Sequence, residues 1–176
     1  LALLGRAALA SAQCSVSVLV VYHSATGHTR QMADSVAAGA RAVPGTLVTV
    51  ASVEAVDTAA LRAADAVIVG SPVHNANVSL PVLRFLDSWS FGSMRDKVGA
   101  AFVTAGGISA GEEATLASIL RVMLEYQMIV VGGPDWSQGL GAYAVTAEAP
   151  FGSFAEPLLS PQFLTKAVGL GNRVAT

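Results

Sequence analysis

The run Ser17-Val18-Leu19-Val20-Val21-Tyr22, followed by Ser24-Ala25-Thr26-Gly27-His28-Thr29 and then by a helical pattern, most restricts how this chain can fold. A continuous β-branched run has no polar face, so as a strand it must be covered on both sides. From Thr29 the period changes: Met32, Ala33, Val36, Ala37 and Ala40 recur at helical spacing, and Pro44-Gly45 closes the helix. A buried strand leading through a short loop into a helix is the opening of a βαβ unit.

The pattern repeats along the chain. Leu47 to Val50 reads as a strand, Asp57 to Ala63 as a short helix capped by Asp57, and Ala66-Val67-Ile68-Val69 as a third strand. A helix around Ser79 to Trp89 follows, with Ser79 as cap and Pro81 in its first turn. Val98 to Thr104 is a fourth strand. Leu116, Ile119, Leu120, Met123 and Leu124 then mark an amphipathic helix whose first turn carries Glu112 and Glu113, charges that suit the helix dipole. Met128 to Val131 is a fifth strand, residues 132–160 a long loop, and Ser160-Pro161 opens a last helix. Five strands alternating with helices predict an α/β fold, a doubly wound parallel sheet with helices on both faces. The composition agrees, with 53% hydrophobic residues and only 12% charged. In such sheets ligands bind outside the carboxyl ends of the strands, where Ser24 to Thr29, Ser71 to Asn77 and Thr104 to Gly111 all fall.

Several classes are disfavoured. A formal charge of −2 and singly scattered basic residues argue against a nucleic-acid partner. Cys14 is the only cysteine, so no intrachain disulfide forms, and no Cys/His cluster has metal-ligand spacing. No apolar run reaches the roughly 18 to 20 residues of a membrane span. Residues 1–15 form an N-terminal extension, read either as a leader, with Ala10-Ser11-Ala12 resembling a peptidase site, or as a disordered segment. The remaining domain spans 16–176.

A phosphate at a helix N-terminus needs free backbone N–H groups, close approach and hydroxyl donors. Ser24, Thr26 and Thr29 carry hydroxyls and Gly27 permits approach, while the loop lacks the Lys of a triphosphate-binding loop and the glycine spacing of a dinucleotide fold. By itself the hexapeptide fits a mononucleotide phosphate or an ordinary Ser-capped turn. Tyr22 to Thr29, however, resembles the FMN phosphate loop of the flavodoxin-like superfamily, and Ala64 to Val73 resembles its third strand and following flavin loop. Ala110 to Leu116, Met128 to Gly132 and Ala167 to Ala175 resemble the WrbA-like NAD(P)H:quinone oxidoreductases in particular.

The resemblance implies a flavodoxin-like, FMN-binding domain with NAD(P)H as electron donor and a small-molecule quinone or other acceptor. Ser24, Ala25, Thr26, Gly27, His28 and Thr29 would hold the FMN phosphate. Pro72, Val73, His74, Asn75 and Asn77 would approach the flavin ring, and Thr104, Ala105, Gly106, Gly107 and Gly111 would line its N1/O2 edge. The chain departs from the family's Pro-Thr-Arg-Phe-Gly-Asn loop with Pro72-Val73-His74-Asn75-Ala76-Asn77, and from its histidine pair with Glu125-Tyr126-Gln127. His74 and Tyr126 are therefore the candidate catalytic residues. His74 reads equally as a solvent-facing loop histidine, and Tyr126 as an interfacial core residue. Trp89 and Phe91 read as core, and Trp136 as a lid or a packing anchor. The implied protein is a cytoplasmic homo-oligomer, dimer or tetramer, although a leader would leave export open. A one-electron carrier and a degenerate interaction module are the alternative functions.

Overall fold

The computed structural model describes residues 15–153 and 155–176; residues 1–14 of the expected extension, Cys14 among them, lie outside these. In chain order the elements are β1 (Val16–Tyr22), α1 (His28–Arg41), β2 (Thr46–Ser52), α2 (Thr58–Ala63), β3 (Ala66–His74), β4 (Asn77–Val78), α3 (Leu80–Asp87), β5 (Val98–Ala105), α4 (Glu112–Glu125), β6 (Ile129–Val130), β7 (Ala142–Val145) and α5 (Pro161–Ala175). Five strands lie in the order β2-β1-β3-β5-β6, with each neighbouring pair parallel. The chain steps from β1 to β2 on one side and then to β3 on the other, which puts the switch point between β1 and β3.

Alternation within the apolar runs divides the core. Val18, Val20, Ile68, Ala100 and Phe102 face α1 and α5, where Met32, Val36, Ala37, Ala167 and Leu170 meet them. Leu19, Val21, Val67, Val69, Ala101 and Val103 face α3 and α4, against Val82, Leu86, Leu116, Ile119 and Met123. Burying a side chain of this size contributes about 1.5–3 kcal/mol, so both layers are required to hold the central strands. β2 lies at an edge and alternates, exposing Leu47 while Val48 and Val50 pack inward.

The fifth strand differs from the sequence expectation. Instead of one strand at 128–131, β6 pairs with Val98 and Gly99, and β7 pairs with Phe102 to Ala105, both parallel to β5. Two half-strands thus share one side of β5, and β7 falls inside the segment expected to be loop. The excursion between them contains a 3-10 turn, Trp136–Gln138. Gln138 is buried, and its amide donates to the Tyr143 carbonyl (3.0 Å) and accepts the Tyr143 N–H (3.0 Å), replacing a neighbouring strand. Asp135 anchors the turn by accepting from Ser137 N–H (2.9 Å), Ser137 Oγ (2.8 Å) and Lys166 Nζ. The Lys166 ammonium and then Ser137 hold the Asp135 carboxyl down to about 2. β4 is also additional: it pairs antiparallel with the end of β3.

Two glycines set the α1/α5 spacing. A Cβ on Gly39 would overlap the Val168 carbonyl, and one on Gly171 would overlap the Val36 carbonyl. The obstructing atoms are backbone and cannot change rotamer. Alanine's better helix propensity favours Gly171→Ala by about 1 kcal/mol, whereas overpacking costs about 1–3 kcal/mol and here falls at the upper end. Gly171→Ala is expected to lower the urea midpoint, for a net loss of about 2 kcal/mol; an unchanged midpoint would show that the helices separate freely.

Candidate functional site

Three loops gather at the carboxyl ends of β1, β3 and β5. In the first, Gly27 is the N-cap of α1 at φ 93°, a conformation that favours glycine, and beyond its neighbours in the chain nothing lies within 4 Å of where its Cβ would stand. Ser24 Oγ accepts Gly27 N–H (3.1 Å) and Arg30 N–H (3.3 Å), which leaves its own proton to donate outward. Thr26 Oγ1 meets His28 Nδ1 at 3.0 Å. Among the described residues the backbone N–H groups of Thr26, His28 and Thr29 meet no acceptor. Unmatched N–H groups and the dipole of a 14-residue helix favour an anion here.

The second loop is a two-residue hairpin. His74 pairs with Asn77 across β3 and β4, and the tip residues Asn75 and Ala76 have φ of 51° and 57°. Asn77 Oδ1 accepts Val78 N–H at 2.8 Å, and His74, Asn75 and Ala76 are exposed. Ser79 does not cap α3 with its side chain; its N–H donates to Ser71 Oγ (3.0 Å) and its hydroxyl lies 3.2 Å from that of Ser71. The third loop supports this tip, because a Cβ on Gly111, at φ 107°, would stand 2.7 Å from Ala76 Cβ. Glu112 is buried and accepts Ser109 N–H (2.8 Å), so it organises the loop in addition to charging the helix start.

The first and third loops are joined beneath the surface. Thr29 Oγ1 and Thr104 Oγ1 are 2.8 Å apart, and both residues are buried. Beside the first loop, His23 Nδ1 lies 2.8 Å from Glu54 Oε1 at the wall of a 400 Å³ cavity that also touches Arg30. Partial burial alone would raise the Glu54 carboxyl, but hydrogen bonds from its own backbone, Ser52 and His23 outweigh it and hold the group below its ordinary 4.5.

These donors fit a mononucleotide phosphate, and the comparisons with known proteins agree. Residues 48–142 match the family model described as NADPH-dependent FMN reductase. The chain belongs to this family. An Azorhizobium caulinodans protein named NAD(P)H dehydrogenase (quinone) is 34% identical over 160 residues, covering 77% of this chain and 80% of that one. An Aquifex aeolicus protein named flavodoxin is 36% identical over 124 residues, covering 68% of this chain and 66% of that one. The structure of a flavodoxin, WrbA-like protein from Agrobacterium tumefaciens superposes with a TM-score of 0.75 at 27% identity, covering 92% of this chain and 96% of that one. The fold is flavodoxin-like.

In this FMN reductase family member, all the predicted loop residues from Ser24 to Gly111 lie at one end of the sheet. Tyr126 does not. α4 runs 14 residues away from Gly111, about 20 Å at 1.5 Å per residue, and carries Tyr126 to the opposite end. There its hydroxyl donates to the Trp89 carbonyl (2.9 Å), and its ring stacks on Phe91 with centroids 5.3 Å apart. The expectation that Tyr126 faces the flavin is corrected for a single chain. Trp89 is core as expected, whereas Phe91 is 81% exposed and Trp136 94%. Sequence reasoning missed Glu148, whose Oε2 accepts Ile108 N–H in the third loop at 2.6 Å. No local pattern links positions 40 residues apart.

Removing one of two paired buried hydroxyls strands the other, at about 1–3 kcal/mol. In FMN-free protein Thr29→Val should lose about that much stability by urea unfolding, Thr29→Ser much less, and the Thr29→Val/Thr104→Val pair should recover part of the loss. Full additivity of the two single changes would disprove the link. A depressed Glu54 contributes stability that is complete above pH 4.5 and lost as pH falls through its lower folded value. Glu54→Gln should flatten that part of the acid unfolding curve; identical curves from pH 3 to 6 would count against it.

Proposed function

We propose that this chain binds FMN at the carboxyl ends of β1, β3 and β5 and uses it to transfer electrons from NAD(P)H to a quinone or other small-molecule acceptor. The observation that carries this reading is the α1 N-terminus, where three N–H groups have no acceptor among the described residues and the space a Gly27 side chain would take is open. Family membership supports the cofactor, and the name of the Azorhizobium relative supports the donor and acceptor. Ser24, Ala25, Thr26, Gly27, His28 and Thr29 are assigned to the phosphate. Pro72, Val73, His74, Asn75 and Asn77 are assigned to one side of the ring, and Thr104, Ala105, Gly106, Gly107 and Gly111 to its edge. Bound FMN supplies a ring that accepts a hydride and returns two electrons; the protein positions it. His74 is the titratable side chain of the second loop, exposed where an acceptor enters, and is assigned to contact it.

Residues 16–176 are taken as one FMN-binding domain. Among the described residues no helix is long and apolar enough to cross a membrane; the cytoplasm is the compartment we propose. Exposed Leu80, Leu83 and Phe91 beside Tyr126 line a cavity of about 510 Å³, the surface to which we assign self-association as a dimer or tetramer. A second reading, an electron carrier, draws on the Aquifex relative named flavodoxin.

Anaerobic titration of FMN-loaded protein with NADH and with NADPH separates these readings. Bleaching by at least one nucleotide, followed by reoxidation on adding a quinone, is expected. If neither nucleotide bleaches bound FMN, the carrier reading replaces the enzyme; if the protein retains no FMN, both readings fall.

A further inference from the structure

The segment between β7 and α5 is fastened at two places on the candidate site. At its start Thr146 N–H donates to the Ala105 carbonyl (2.9 Å) and Ala147 N–H to the Gly106 carbonyl (3.0 Å), prolonging the ladder with β5 into the third loop. Glu148 then reaches Ile108 N–H through Oε2 at 2.6 Å. A Cβ on Gly107 would stand 2.7 Å from the same oxygen, so the carboxylate lies against the loop backbone. The chain folds back over Glu148, whose carbonyl accepts Phe151 N–H (2.9 Å) and Gly152 N–H (3.0 Å). At its far end Gln31, in the first turns of α1, donates to the Pro157 carbonyl (2.7 Å) and accepts Leu159 N–H (3.0 Å).

This strap connects the first helix to the third loop, where the Glu148 side chain joins two backbone hydrogen bonds in making the connection. We infer that Glu148 is a positioning residue that also sets the redox bias of the site: its carboxylate fixes Gly107-Ile108 and places one negative charge beside the segment assigned to the flavin edge. The inference rests on the reading that residues 104–111 line FMN. Two-electron reduction of a flavin adds negative charge near N1 at neutral pH, so a fixed carboxylate there weakens binding of the reduced form relative to the oxidised one. Two unit charges about 10 Å apart at an effective dielectric near 20 alter such a ratio roughly tenfold.

Glu148→Gln keeps an oxygen that can accept Ile108 N–H and removes the charge, whereas Glu148→Ala removes both. Three quantities are measured: the dissociation constant of oxidised FMN, the two-electron midpoint potential of the bound flavin, and amide exchange at Ile108 in FMN-free protein. In Glu148→Gln we expect an unchanged dissociation constant and amide protection close to wild type. Its midpoint should be more positive by about 30 mV, the equivalent of a tenfold change for a two-electron couple. Glu148→Ala should lose the amide protection and bind oxidised FMN more weakly. If wild type binds FMN and the Glu148→Gln midpoint does not move, Glu148 is only a structural tie and the charge assignment is overturned. If wild type itself binds no FMN, the flavin reading fails and the inference with it.

Discussion

Burial of β1, β3 and β5 on both faces is the constraint from which the rest of this structure follows. A strand covered on both sides needs a helix layer above and below, and parallel neighbours joined by helices must all point the same way. Every loop leaving a central strand therefore emerges at one end of the sheet. The small side chains that allow close layering also shape this end. Phe102 fills the space that a side chain on Gly70 would occupy, and Gly39 and Gly171 let α1 and α5 approach until backbone touches backbone. The position of the α1 N-terminus beside β1 is thus a product of core packing, and its unmatched N–H groups arrive at the site already oriented.

Hydrophobic periodicity made the central sheet and its helices legible because each side chain there answers to one local question, which face it meets. Val18 to Val21, Val67 to Val69 and the Leu116–Met123 stripe fall where their spacing places them. β7 escaped the same reading for a physical reason. Its outer edge is satisfied by the amide of Gln138, and its return to the sheet depends on Gly141 lying flat against the Ala101 carbonyl, neither of which leaves a periodic trace. The loops of the candidate site were legible as loops, but their internal wiring was not. Thr29 looks like a phosphate donor from its neighbours in sequence, and only the fold reveals that its hydroxyl meets Thr104. Tyr126 illustrates the opposite error: alignment with a family position says nothing of the helix length that separates it from the loops within one chain.

The hairpin 74–77 lies in the loop Pro72-Val73-His74-Asn75-Ala76-Asn77, where the sequence departs from the family's Pro-Thr-Arg-Phe-Gly-Asn. Two residues at positive φ are demanded by so tight a turn, and Asn75 suits that conformation while Ala76 does not. The strain at Ala76 is held by its neighbour, since Gly111 leaves space for its methyl group and nothing larger on the facing residue would fit. An aromatic side chain is absent from the turn, whose exposed polar groups are Asn75, Asn77 and the imidazole of His74.

Stiffness in this site comes from cross-connections more than from any one loop. The first loop is tied to the third by Thr29 and Thr104, the third to the second by Gly111 and Ala76, and the third to the β7–α5 segment by Glu148. That segment returns to the first helix through Gln31, which closes the circuit. In a closed circuit each tie limits the freedom of the others, so ordering entropy is spent during folding and little remains to be lost when a ligand arrives. Such preorganisation suits a protein whose part in electron transfer is to hold a reactive ring in a fixed electrostatic environment, and it makes the few charges built into the circuit matter more than their number suggests.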